Sequence, residues 1–295
     1  MREQIFKTTK AFVLCIILCV CIGMLLPAFS TDAYAKEEKK DYQIRVNRAA
    51  NCVTVYEKDD KGEFNVPVRA FVCSCGRTGH ETPLGTFKTS NYYKWRLMVD
   101  GTYGKYAVRF NKSILFHSVP YTKRSSASMK WEQYNLLGQS ASLGCVRLAC
   151  DDAKWIYDNC KQGTEVIVYD DIENPGPLGK PEEIQITVEN PYRYWDPTDD
   201  EKNNPWNQLK PSLYIKNDVS NGVVYLPVGA GKDEILEAIG VKSPQGLPYT
   251  KYQYKITMYG NYDLNKAGVY QVSVVGIGLQ GVRAEQDMIL CVVEK

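Results

Sequence analysis

From residue 66 the chain alternates. Val66, Val68, Ala70 and Val72 fall on one side of an extended segment, and Pro67, Arg69, Phe71 and Cys73 on the other, the period-2 pattern of a half-buried strand. Similar short runs predict strands at 42–46, 53–56, 85–88, 106–110, 114–117 and 165–169. One segment changes period: Ala153, Ile156, Tyr157 and Cys160 recur at i, i+3, i+4 and i+7, which predicts a helix. Asp151 or Asp152 is its expected N-cap, and Gly163 follows its end. Residues 174–181 then carry Pro175, Gly176, Pro177, Gly179 and Pro181, which stiffen and break the pattern. Strand signals resume at 184–188, 223–226, 252–259, 269–275 and 288–293, with a short helix over 233–239. The chain is therefore expected to be mainly β. A first domain over 41–170 and a linker over 171–183 precede a small β-sandwich over 184–295.

The N-terminus has its own grammar. Arg2, Lys7 and Lys10 precede an apolar run over 11–26, and small residues end in Ala33, Tyr34 and Ala35. A basic head, a short apolar stretch and an Ala-x-Ala site predict a secretory signal over 1–35. The run is shorter than the roughly 20 residues needed to span a bilayer, so the mature protein is expected outside the cytoplasm, without an integral membrane span. The net charge of +2 argues against a nucleic-acid partner, which wants a strongly basic face.

Of ten cysteines, Cys15, Cys19 and Cys21 fall in the signal, which leaves seven. An odd number in an exported protein leaves at least one thiol unpaired. Cys150 and Cys160 could pair with each other or simply be buried. With no CxxC and only two histidines, a metal site is not expected.

The chemistry concentrates in the run from Ser140 to Arg147, directly before the predicted helix. A thiol becomes a nucleophile when a base accepts its proton and nearby N–H groups hold the oxyanion that its attack creates. Cys145 is that thiol, Gly144 lets the backbone bend around a carbonyl, and Arg147 supplies fixed charge. His117 closes an apolar strand 28 residues upstream (145 − 117), a position from which a histidine can face a cysteine loop.

These residues carry a resemblance. Thr82-Pro83-Leu84-Gly85-Thr86-Phe87, Phe116-His117-Ser118 and Ser142-x-Gly144-Cys145-Val146-Arg147 resemble, in order, three elements of the YkuD-type L,D-transpeptidase catalytic domain. The resemblance covers about 130 of 295 residues and implies a YkuD-type β-sandwich with a short helix after the cysteine loop. It implies Cys145 as nucleophile, His117 as general base and acid, the Ser118 carbonyl as the group that orients the imidazole, and the N–H groups of Gly144 and Cys145 as much of an oxyanion hole. Arg147 and Ser142 would contact substrate or hold the loop. The stretch over 121–137 is longer than usual for the family and reads as a lid, which would offer Trp131 and Tyr134 to substrate. Leu143 stands where the family commonly has a second histidine.

The implied reaction is on peptidoglycan stem peptides. The thiolate forms a thioester with a tetrapeptide, releases D-alanine, and passes the acyl group to an amine in a 3→3 cross-link, without metal or cofactor. Water as acceptor would make the protein an L,D-carboxypeptidase; a sortase-like enzyme and a non-catalytic wall-binding protein are the rivals. The part after residue 184 resembles a bacterial Ig-like module, carried by the segment from Asn261 to Val274. A monomer at the cell wall is expected.

Overall fold

The computed structural model describes residues 40–216 and 222–294. The predicted signal segment over 1–35 lies outside the described residues. Two sheets face each other in the first half. One is ordered β3-β2-β1-β9-β4, from β1 (Gln43–Asn47), β2 (Cys52–Glu57), β3 (Val66–Val72), β4 (Gly85–Lys88) and β9 (Glu165–Tyr169). The other is ordered β5-β6-β7-β8, from β5 (Tyr92–Leu97), β6 (Tyr103–Asn111), β7 (Ile114–Ser118) and β8 (Val146–Leu148). Ile44, Val53, Val55, Phe71, Val108, Phe116, Val146, Leu148 and Val166 fill the space between them. β2 and β6 are buried on both faces along most of their length, so they lie at the centre of the molecule rather than on its surface.

The helix after the cysteine loop begins two or three residues earlier than its expected caps predict, with Ala149 at the N-cap. A four-residue helix, α1 (Trp131–Tyr134), lies in the long stretch before the loop, and α2 runs Cys150–Asn159. Neither Asp151 nor Asp152 caps α2, because both lie inside its first turn. Its open N–H groups are instead taken from far along the chain: Asp196 accepts from Cys150 N at 3.0 Å, and Thr198 Oγ1 from Asp151 N at 3.1 Å. Capping satisfies the same orphan donors whichever part of the chain supplies the oxygen. Sequence-local reasoning sees only neighbours, and so missed it.

The stretch 184–188 forms no strand. Ile184 and Ile186 pack with Trp206, Tyr121, Met129, Tyr134 and Leu137, which makes residues 184–206 a covering for the long stretch 121–137. Asn135 fastens it twice, donating to Ile186 O and accepting from Ile186 N, each at 2.8 Å. The predicted lid is thus a packed wall, with Tyr121 and Tyr134 fully buried.

Beyond it, β10 (Ser212–Ile215) pairs with β12 (Ile239–Lys242), and β11 (Val223–Pro227), β15 (Arg283–Val293), β14 (Gly268–Ile277) and β13 (Lys255–Tyr259) form a four-stranded sheet. The short helix α3 (Lys232–Ala238) sits between β11 and β12. Val224, Leu226, Ile239, Val272, Val274 and Leu290 form their core. The molecule is mainly β, as its alternation predicts. Cys52, Cys73, Cys75, Cys145 and Cys150 are free thiols, so Cys150 is not paired with Cys160.

Candidate active site

The site is assembled by one parallel strand pair. β7 and β8 align His117 with Arg147, and Cys145 is the residue before β8. β8 is held on its other side as well: Ser74 and Arg147 exchange two backbone hydrogen bonds of 2.9 Å. The thiol therefore leaves the edge of a strand pinned on both sides. Cys145, His117, Arg147 and Ser142 line one pocket of about 130 Å³, together with Arg96, Arg109 and Asp100.

The loop before the thiol is built from small groups and short bonds. Gly144 has φ +114°, so the backbone calls for glycine, while a Cβ there would meet only the movable end of Ile114 within 3 Å. Thr82 is fully buried; its Oγ1 accepts from Gly76 N and donates to Gly144 O, each at 2.9 Å. That ties the Thr-Pro-x-Gly-x-Phe segment to the cysteine loop, 62 residues away. Ser142 is buried too; its Oγ donates to Cys145 O at 2.5 Å and accepts from Gly144 N at 3.0 Å. In this conformation the Gly144 N–H is committed, so its use toward an oxyanion requires exchange of that bond.

His117 is 3% exposed, and its Nδ1 lies 2.6 Å from Ser118 O. A carbonyl only accepts, so Nδ1 carries the hydrogen and Nε2 keeps its lone pair. Burial, with Arg147 beside it, pushes the imidazole down to about 4. Burial pushes the Cys145 thiol up, against a backbone hydrogen bond from Leu115 and the charge of Arg147. At neutral pH the resting pair is therefore thiol and neutral imidazole. The thiol makes a 3.8 Å contact with Ser113 O.

Arg147 is 8% exposed, and burial pulls its guanidinium below the usual range. Its Nη1 donates to Gln133 Oε1 at 2.6 Å and to Ala141 O at 3.3 Å. Arg96, Asp100, Arg109 and Gln133 were not singled out from the sequence. The signal for Arg109 was its place in β6, whose inward residues are apolar and whose other face reaches the pocket.

Two residues expected to meet substrate lie elsewhere. Tyr134 is buried, its hydroxyl donating to Glu183 Oε2 at 2.6 Å, and Trp131 packs against the same cluster. Neither lines the Cys145 pocket. Tyr92, Tyr93 and Trp95 do not line it either: Tyr92 donates to Cys160 O, and Trp95 stacks edge-on against Tyr121. His80 is exposed in the loop before Thr82. Among the described residues no group of His, Cys, Asp and Glu could hold a metal ion.

The arrangement is a thiol and a neutral imidazole that line one pocket on a two-sheet scaffold. Residues 41–168 match the family model of the L,D-transpeptidase catalytic domain, YkuD. A candidate L,D-transpeptidase of Bacillus subtilis (strain 168), YciB, is 48% identical over 54 residues, which is 18% of this chain and 27% of that one. An L,D-transpeptidase structure from Mycobacterium smegmatis is 22% identical at a TM-score of 0.36, over 44% of this chain and 58% of its own. One from Stackebrandtia nassauensis is 20% identical at 0.34, over 48% and 62%. The chain spans about a quarter of the curated relative and less than two thirds of these solved chains.

Proposed function

We propose that this protein is an extracytoplasmic peptidoglycan L,D-transpeptidase in which Cys145 is the nucleophile. The observation that carries the reading is the pair itself: a thiol and a histidine with a free Nε2 line one pocket, and Ser118 O fixes the tautomer. His117 takes the thiol proton as sulfur attacks the carbonyl of the third stem residue. The resulting imidazolium protonates the leaving D-alanine nitrogen, and a thioester remains. The Cys145 N–H is the first donor to the oxyanion, joined by Gly144 N–H once it leaves Ser142. An amine then attacks the thioester, gives its proton through His117 to the sulfur, and forms the 3→3 cross-link. We read the first domain as spanning 41–170, after a signal over 1–35, and the C-terminal sheets as an Ig-like module that spaces or attaches the enzyme at the wall.

Intact-mass measurement with a disaccharide-tetrapeptide tests this. A stem adduct with released D-alanine is expected on the wild type and not on Cys145→Ala. Dimeric products then separate transfer to an amine from hydrolysis as an L,D-carboxypeptidase. A folded protein with a free thiol that forms no adduct would instead be a wall-binding module.

The pH dependence follows from the neutral pair. Thioester formation is expected to rise as pH passes about 4 and to level off before neutrality, because His117 must be unprotonated to act as base. An acid limb at 6 to 7 would instead mean that the His117 imidazole titrates near its ordinary value. The same shift acts on stability. Between the ordinary value of 6.5 and about 4, the unfolded chain binds a proton at this histidine that the folded chain does not. The stability it contributes is fully present above 6.5 and is lost as pH falls to about 4, by about 3 kcal/mol.

A further inference from the structure

A second, larger space adjoins the thiol pocket. It opens about 530 Å³, and Arg147, Asp100, Pro120 and Leu143 line both. Leu143, 37% exposed, stands between them. The groove adds Arg77, Lys130, Gln133 and Gln139. Three cations thus line it with one carboxylate, Asp100, which accepts from both the backbone N–H and the hydroxyl of Thr102.

The three cations outnumber the single carboxylate, which acts on Arg147 through space without forming an ion pair with it. Arg77 lies in the segment after β3, against the cysteine loop, its backbone N–H donating to Ser142 O at 3.0 Å. Lys130 sits at the start of α1, its N–H donating to Pro120 O at 2.9 Å. Neither side chain forms an ion pair among the described residues. Arg147 is the decisive case. The residue is more than nine-tenths buried, its guanidinium donates only to the neutral oxygens of Gln133 and Ala141, and its Nε has no hydrogen-bond partner among the described residues. A buried cation without an anion is costly, and a bound anion relieves that cost. A guanidinium with donors to spare suits a carboxylate.

We propose that this groove is the subsite for the carboxylate of the amino acid whose amine leaves or joins the acyl group at Cys145. The inference rests on the function proposed above. In thioester formation the C–N bond to the terminal amino acid breaks, and that residue departs as a free α-amino carboxylate. In transfer an amine nitrogen attacks the thioester carbonyl, the C–S bond breaks, and the amine's proton passes through His117 to the sulfur. Both amines stand on the same side of the carbonyl, so one carboxylate subsite can serve both. Asp100, at the junction of groove and pocket, is placed to meet an ammonium beside that carboxylate.

The test uses the full mature chain and a preformed thioester with a stem tripeptide. Labelled D-alanine and labelled D-alaninamide compete for the acyl group, in the wild type, in Arg77→Gln/Lys130→Gln and in the charge-keeping Arg77→Lys/Lys130→Arg. The acid is expected to win in the wild type by roughly tenfold or more, the worth of one or two charge-assisted hydrogen bonds. That preference is expected to fall to near parity in the Gln pair and to persist in the charge-keeping pair. Because the readout is a ratio within each protein, partial loss of folding does not mimic it. Donor tetrapeptides with free and amidated C-termini separate the two sources. Preference lost in both steps assigns the groove to leaving and joining amino acid alike; preference lost only in transfer assigns it to the acceptor. An absent wild-type preference, or one intact in the Gln pair, overturns the proposal. Failure of the wild type to form any thioester would instead overturn the proposed function.

Discussion

Gly104→Ala is expected to slow thioester formation by roughly 10²-fold while the protein still folds. The backbone at Gly104 does not require glycine, but the space does. A Cβ there would lie 2.5 Å from Met98 Cε, 2.8 Å from His117 Nδ1 and 3.0 Å from His117 Cβ. Met98 can swing away, because the contact is with the end of a flexible side chain. His117 cannot yield so cheaply: its ring is buried and held at 2.6 Å by Ser118 O. Ser118 is held in turn, since its hydroxyl accepts from Lys105 N at 2.8 Å and donates to Val119 O at 3.0 Å. The added methyl therefore turns the imidazole off the line that keeps Nε2 toward the pocket. General base catalysis by a positioned histidine contributes about 10²–10⁴-fold, and a displaced ring loses the lower part of that. Overpacking also costs about 1–3 kcal/mol of stability, so rates are compared well below the melting transition. A variant within threefold of wild type would mean that Met98 alone absorbs the methyl. Activity lost through unfolding would show in the melting curve instead.

Much of this site is readable in one dimension, because its parts are local. The alternation that marks 114–117 as a strand also fixes His117 at the strand's end, and the run into Cys145 and Gly144 is contiguous. What escapes sequence reading is made at a distance. Gly104 reads as an ordinary glycine in a strand until β6 lies beside β7, and Thr82 reads as a turn residue until its hydroxyl meets Gly144 O. The charge set of Arg96, Asp100 and Arg109 comes from the β5–β6 hairpin, whose pairing no local pattern specifies. Tyr134 fails for the opposite reason. An aromatic in a long polar stretch looks available to a ligand, and only the packing of Ile184, Ile186 and Trp206 over it makes it core. The same covering segment carries Asp196 and Thr198 to the start of α2, which explains why the helix needs no cap of its own.

Arg283→Met is expected to destabilise the folded protein by about 3–5 kcal/mol, more at pH 8 than at pH 5. Arg283 opens β15, and its guanidinium reaches across to the first turn of α2. It donates to Asp152 Oδ1 at 2.8 Å and Glu183 Oε1 at 3.0 Å, and it pairs with Asp151. Asp152 is 2% exposed, and its other oxygen has no partner among the described residues. Glu183 also accepts from the Tyr134 hydroxyl. Burial holds both carboxyls above the ordinary carboxylate range even with Arg283 beside them. Removing the cation raises them further, because the charge that opposed burial is gone. A carboxyl raised in the folded state contributes stability that is present below its unfolded value, near 4, and is lost as pH rises above it. The defect must therefore widen from pH 5 to pH 8, which a simple packing loss would not do. Denaturant unfolding of both proteins at the two pH values reads this directly. A loss below 1 kcal/mol at both would show that water already relieves the network. The second clamp, Arg69 to Glu285 at 2.6 Å, leaves Glu285 partly in solvent, so Glu285→Gln is the milder comparison. The difference between the two locates the dependence of α2, and of the cysteine loop directly before it, on the C-terminal sheet.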